Sequence, residues 1–424
     1  MESVSLSAAE VRSFDLPLSL DKFFDGLTAF FLFVTVFLPS GSVYGLNIKA
    51  PLYLILLPLT AYTMFQRTKV THHDLVFLAT IPAVLSLWMI LGVVHGFPFA
   101  SSLRQFADLL LTLILCWITT VFCGEEYRRR IRFLHIVLNA ELGACLLKFA
   151  VLAYAVANGI PTVQVVEQLS TIFGVNLMTM DLGAMFGRVQ FVSDALIPVC
   201  IFLVLRHRKA LEIGNLRASI TLLMLVVSVI FSFSRYFWGF SVLAFALGLL
   251  LGERDRFQLT AFTLLTLASL VSLPLLITLY QLRFSNDVSG NSDSFRVEQT
   301  QALDEFFKDA PLLGHGLGSY TNQVLRAQDD APNSRYSYEA QLLALTGQVG
   351  ILGVTLLGLL AAFYFRDLWW KTRSPLKERA AIAAMLAFWI AAGLYNPLLF
   401  NPIAGVVYSA LAVLASIVKQ PLRS

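Results

Sequence analysis

The chain has 424 residues, 57% hydrophobic and 14% charged. A soluble domain carries about 25% charged residues, so the composition excludes an ordinary soluble enzyme and indicates a polytopic membrane protein. The formal net charge is only +4; no nucleic-acid partner is expected, and the placement of the basic residues says more than their number.

Acidic and basic residues (Asp15, Asp21, Lys22, Asp25) precede the first apolar run, with no small-residue cleavage site, so no cleavable signal is expected. About twelve spans are predicted, each near the ~20 apolar residues that a bilayer core requires. They cover 27–38, 51–65, 75–94, 103–123, 133–157, 191–205, 220–233, 236–251, 259–280, 339–365, 380–394 and 403–418. The expected fold is all-α: a single integral membrane domain over 1–424, with a large polar loop at 281–338 between spans nine and ten. Within that loop Phe295, Ala302, Leu303 and Phe306 fall at near-helical spacing, predicting a helix over 295–307 that Pro311 stops. The four cysteines, Cys116, Cys123, Cys145 and Cys200, sit in apolar runs, so no disulfide framework is expected.

Basic residues cluster in every second loop: Arg67 and Lys69, Arg128 to Arg132, Arg206 to Lys209, Arg254 and Arg256, Arg366 to Arg379, and the C-terminus. The positive-inside rule makes those loops and both termini cytoplasmic. Segments 160–190 and 281–337, the Ser234-Arg235 turn and the Asn-Pro turn before the last span then lie outside.

Arginine is depleted on the outer side, which singles out Arg188, Arg235 and Arg296. A guanidinium is always charged and matches phosphate oxygens bidentately, so the three suit a lipid-linked pyrophosphate. Contact with ordinary lipid headgroups is the plainer alternative. Arg104, Arg283, Arg326 and Arg335 read as surface residues. Glu339 opens the tenth predicted span, either as a general base for a sugar hydroxyl or as an acid favoured at a helix start. His315 lies in a tight turn between Gly314 and Gly316, with Gly318 following; it is a base, an acid, a ligand, or a hydrogen-bonding loop residue. Glu141 and Lys148 are charged inside the fifth span, a functional signature by default but equally a pairing inside the bundle. No zinc-ligand spacing, Walker loop or dinucleotide fingerprint appears, so neither metal nor cofactor is expected.

Ser234-Arg235 at a span start, Ser294-Phe295-Arg296, the run from Pro311 to Tyr320 and Gln348-Val349-Gly350-Ile351-Leu352-Gly353 together resemble the O-antigen polymerase and O-antigen ligase superfamily of bacterial membrane glycosyltransferases. The resemblance covers about 231–353. Ligases of this type carry a His-Asn pair where this chain has Glu339-Ala340, which is more like the polymerase branch; the family's acidic residue before Gly350 is Gln348 here.

The resemblance implies a GT-C-like bundle in the bacterial inner membrane with a periplasmic active site and short helices in the large loop. It implies an inverting, metal-independent transferase with undecaprenyl-diphosphate-linked oligosaccharides as donor and acceptor. Glu339 and His315 would be catalytic, and Arg188, Arg235 and Arg296 would bind the diphosphate. Gly314, Gly316, Gly318, Tyr320 and Tyr338 would form the substrate loop. Membrane lipids, a chain-length regulator and a flippase are the implied partners. The competing readings are a ligase that delivers the glycan to lipid A core or protein, and a transporter of the same lipid, which should show a repeat-related pair of broken helices.

Overall fold

The computed structural model describes residues 18–38, 42–44, 46–67, 72–173, 187–252, 255–263, 266, 277, 286–324, 335–366 and 375–417. Apolar runs fold as helices in chain order: α1 Leu18–Phe37, α2 Lys49–Arg67, α3 His72–Val94, α4 Phe99–Cys123, α5 Tyr127–Asn158 and α6 Thr162–Phe173. Then follow α7 Ile197–His207, α8 Asn215–Phe231, α9 Arg235–Leu251, α10 Asn286–Asp309, α11 Gln341–Tyr364, α12 Leu376–Ala391 and α13 Pro402–Ser416. One two-stranded hairpin, Ser42–Val43 against Leu46–Asn47, joins α1 to α2. The ninth predicted span, 259–280, falls mostly outside the described residues, as do Arg283 and Arg326.

Among the described residues, α4, α5 and α11 are long and apolar enough to cross a membrane by length and composition. The all-α, membrane-helical expectation holds at that level, with three spans of full length among the described residues. Several of the other predicted spans fold as shorter helices. Helix α7 has 11 residues, about 16 Å at ~1.5 Å per residue, against a hydrocarbon core of about 30 Å. Its predicted span begins instead with a 3₁₀ turn, Val192–Leu196. Helices α8, α9 and α13 are apolar but only 17, 17 and 15 residues long.

The main core gathers α1, α2, α4, α5, α7, α8, α9, α12 and α13. Helix α7 is its axis: every residue from Ile197 to Leu205 is buried, as expected of a helix apolar on all sides. It packs on α8 and α9, while α13 packs on α4 and α1 on α5. Two smaller clusters tie the polar loop to this body. Leu317 joins Leu85, Trp88 and Leu109 with Leu345 and Val349 of α11, and Leu303 of α10 joins Tyr338, Ala340 and Ala344.

Of the buried charges of α5, Lys148 pairs inside the bundle. Lys148 is fully buried and donates to both carboxylate oxygens of Asp194, at 2.7 and 2.8 Å, and to the Ser228 carbonyl at 3.1 Å. Glu141, two turns away, is fully buried too, and its Oε1 accepts from the Cys145 thiol at 3.9 Å. The four cysteines are buried as free thiols.

Candidate active site

Helix α11 is broken at Gly350, whose φ of 65° and ψ of −177° are not helical. A break inside an apolar helix frees backbone groups that need new partners. The run after Pro311 supplies them. His315 N–H donates to the Gly347 carbonyl at 3.0 Å and Gly316 N–H to that of Gln348 at 2.8 Å. In return, Ile351 N–H donates to Pro311 and Leu352 N–H to Leu312. The glycine-rich turn therefore replaces the missing intrahelical bonds. Its fit demands glycine: at Gly316 φ is +93°, and a Cβ would lie 2.0 Å from the Gly92 amide nitrogen. The turn passes that close to α3, and Leu317 N–H donates to the Trp88 carbonyl at 2.8 Å.

Gln348 locks the arrangement from inside. It is buried, and its Nε2 donates to the carbonyls of Ser319 at 2.9 Å and Tyr336 at 3.3 Å. Its Oε1 accepts from Gln105 of α4, and Gln105 Oε1 accepts from Gly318 N–H at 2.6 Å. An amide is suited to this place because it has two donors; a carboxylate has none. The departure from the family's acidic residue thus has a local reason.

Helix α10 extends the predicted 295–307 to Asn286–Asp309. It presents Arg296 and Gln299 one turn apart, on one face. Arg296 Nε donates to Glu339 Oε2 at 2.8 Å, and Gln299 Oε1 accepts from Ala340 N–H at 3.1 Å. Glu339 precedes α11, which starts at Gln341, so it does not open the helix as the sequence suggested. Its carboxylate meets a guanidinium.

His315 is engaged by the fold. Its Nε2 is 2.9 Å from the Phe306 carbonyl, an acceptor only, so that nitrogen carries the proton; its ring stacks on Phe306 with centroids 4.1 Å apart. Tyr338 is buried, and its hydroxyl accepts from Thr321 N–H at 2.8 Å; burial pushes this phenol up to about 12. Tyr320 packs edge-on against Phe97, and Arg335, expected to be a plain surface residue, lies over its ring at 5.7 Å.

Arg188 and Arg235 stand at a second place, the turn between α8 and α9. Arg188 Nε donates to the Ser232 carbonyl at 3.2 Å, and its guanidinium also reaches the Gln190 side chain. Ser232 belongs to the three-residue turn between α8 and α9, and Arg235 is the first residue of α9. Ser234 caps that helix by accepting from Phe237 N–H. The buried Lys148–Asp194 pair stands behind this turn: Asp194 Oδ2 accepts from Phe191 N–H at 3.2 Å, and Lys148 holds the last turn of α8 through Ser228.

A cavity of about 180 Å³ opens beside the first turn of α11. It is lined by Asp108 and Gln105 of α4, by Tyr336, Ser337 and Tyr338, by Gln341 and Gln348, and by Phe400 and Asn401 before α13, among others. Asp108 accepts from the Tyr336 hydroxyl at 2.8 Å, and burial, with the carboxylate beside it, pushes that phenol well above its ordinary range. Asp108, Tyr336 and Asp194 escaped the sequence reading. The signal for Asp108 was present, because it is the one acidic residue in the run 99–123, and an intramembrane carboxylate is a functional candidate by default.

Comparison with curated proteins gives no match. The stretch 219–358 takes in Arg235, Arg296, the glycine-rich turn and Glu339, while Arg188 and Asp108 lie before it. That stretch matches the O-antigen ligase family, consistent with the O-antigen polymerase and ligase superfamily.

Proposed function

We propose that the protein is a polysaccharide polymerase. It would transfer a growing undecaprenyl-diphosphate-linked glycan onto a new lipid-linked repeat unit, at the periplasmic face of the bacterial inner membrane. A hydroxyl of the acceptor sugar attacks the anomeric carbon of the donor. The new glycosidic bond forms as the bond to the diphosphate breaks, with inversion and without a metal. The hydroxyl proton passes to the Glu339 carboxylate, and the lipid diphosphate leaves. Arg188, Arg235 and Arg296 converge on that diphosphate and stabilise its developing charge. The full architecture in this reading is GT-C-like, with about twelve spans, both termini cytoplasmic and the loop 281–338 outside. Gly314, Gly316, Gly318, Tyr320 and Tyr338 shape the substrate loop, and a chain-length regulator and a flippase work beside the enzyme.

The observation that carries this reading is the Arg296–Glu339 contact, 2.8 Å, at the approach to α11. It sets a proton acceptor against a phosphate-binding group inside the stretch matched to the family. His315 is the alternative base candidate: its Nε2–H donates to the Phe306 carbonyl, which leaves Nδ1 as the basic nitrogen. The ligase reading is favoured by the description of the matched family. The polymerase reading is favoured by Glu339-Ala340, where ligases of this type resemble one another in carrying His-Asn.

Glu339→Gln keeps the size of the side chain and removes its basicity. General-base catalysis contributes about 10²–10⁴-fold, so polymer yield should fall by that order at matched protein level, with binding of the lipid-linked substrate retained. Full polymer yield from Glu339→Gln, with loss in His315→Ala, would move the base to His315. A deletion strain separates the two enzymes: single-repeat glycan identifies a polymerase, and accumulated long lipid-linked polymer a ligase.

A further inference from the structure

We propose that the cavity between α4, the start of α11 and the approach to α13 is a sugar-ring subsite for the acceptor, with Asp108 as its hydroxyl-binding residue. This rests on the glycosyl-transfer reading. The cavity measures about 180 Å³, room for several waters, which suits one sugar ring and not a lipid tail. Its lining combines a carboxylate (Asp108), the amides of Gln341 and Asn401, the Tyr336 hydroxyl and the rings of Tyr338 and Phe400. Sugar hydroxyls are donors that a carboxylate binds with charge-assisted strength, and aromatic faces cover the apolar side of a ring. No lysine or arginine lines the cavity among the described residues; the Arg104 charge reaches Asp108 from outside the lining, so the charge that lines the cavity itself is the carboxylate, which repels a phosphate. The pocket therefore selects a neutral polyhydroxyl group, while the diphosphate belongs with the arginines. Position fixes the role further. Ser337, Tyr338 and Gln341 line the cavity and flank Glu339 in the chain, while Glu339 itself turns to Arg296, so the subsite adjoins the segment that carries the candidate base. Helix α4 holds Asp108 rigidly from the far side, and Tyr336 steadies its carboxylate at 2.8 Å.

The test uses the full-length protein in nanodiscs, with donor and acceptor lipids purified from the producing strain. Asp108→Asn keeps the shape and an acceptor for Tyr336; Tyr336→Phe removes one hydroxyl. Both should raise the KM for the acceptor, about tenfold for Asp108→Asn and less for Tyr336→Phe, with the donor KM unchanged. A merely structural Asp108 would instead lower turnover without separating the two KM values, and that result overturns the subsite. The free oligosaccharide released by mild acid from the same lipid-linked repeat unit serves as a second probe, titrated against wild type and Asp108→Asn. Weaker binding by the variant supports the subsite, and equal binding overturns it even when wild type transfers normally. Absence of any transfer by wild type takes down the glycosyl-transfer reading, and the subsite with it.

Discussion

Arg188 and Arg235 stand on a framework held by a buried ion pair, whereas Arg296 and Glu339 stand on one held by backbone hydrogen bonds and close glycine contacts. In the first region, Lys148 and Asp194 have side chains 0% and 1% exposed, and they tie α5 to the 3₁₀ turn and to the end of α8. In the second, the turn after Pro311 is stitched to both sides of the break at Gly350, and Gln348 fastens it with neutral bonds. The difference predicts how each region fails. A buried ion pair is vulnerable to the loss of one partner, because the other is left charged in an apolar place. A backbone clasp has no single charge to orphan; it fails when a donor is exchanged for an acceptor or when a Cβ enters a space only a glycine fits.

The largest effect should therefore come from the ion pair. Lys148→Met strands Asp194, and breaking a buried pair costs about 3–5 kcal/mol. The double variant Lys148→Met with Asp194→Leu removes both charges and should recover most of that stability. Unfolding of the two proteins in matched detergent, followed by tryptophan fluorescence, measures the difference. If the single variant is as stable as the double, the pair is not what holds this region, and the contrast between the regions collapses.

A smaller effect is expected at Gln348. Gln348→Glu is nearly isosteric and restores the acidic residue of the family pattern. Burial holds the new carboxyl protonated, so it keeps one donor and loses the other to the Ser319 and Tyr336 carbonyls. An unsatisfied buried group costs about 1–3 kcal/mol, so the variant should lose stability in that range and loosen the turn. Protection of the 314–318 amides against hydrogen exchange should fall, while that of α7 stays as it is. Unchanged protection at 314–318 would mean that the backbone bonds hold the turn without the amide.

The sequence made some of this legible and hid the rest for identifiable reasons. The helices show because apolar runs and the 295–307 spacing are local patterns; α10 runs beyond its apolar positions because its first turns are polar and carry no such signal. The glycines announced a tight turn. Its partner, the broken stretch of α11, is more than thirty residues away, and nothing local marks Gly350 as a break. Lys148 was legible as an intramembrane charge, but its partner was not: Asp194 is 46 residues further on, at the start of a predicted span that the chain enters through a 3₁₀ turn. Glu339 was read as the first residue of a helix, and the preceding position let it reach sideways to Arg296. Of the transporter's expected pair of broken helices, the described residues contain the break at Gly350 in α11.

The smallest effect sharpens the comparison at the loop's edge. Arg335 lies over the Tyr320 ring at 5.7 Å, although its sequence context suggested only a solvated surface residue. If the second region owes its hold to backbone bonds, a peripheral cation–π contact should add little. Such contacts are worth about 0.5–1 kcal/mol at exposed sites. Arg335→Ala should therefore lower stability by about that amount, and Arg335→Lys, which keeps the charge over the ring, by less. The effect should vanish in a Tyr320→Leu background, because the ring is then gone; this double-mutant cycle isolates the contact from any general effect of removing a charge. A loss as large as that of Lys148→Met, or one that persists without the ring, would show that charge organises this region as well. The distinction between an ion-paired framework under Arg188 and Arg235 and a backbone clasp beside Arg296 and Glu339 would then have to be withdrawn.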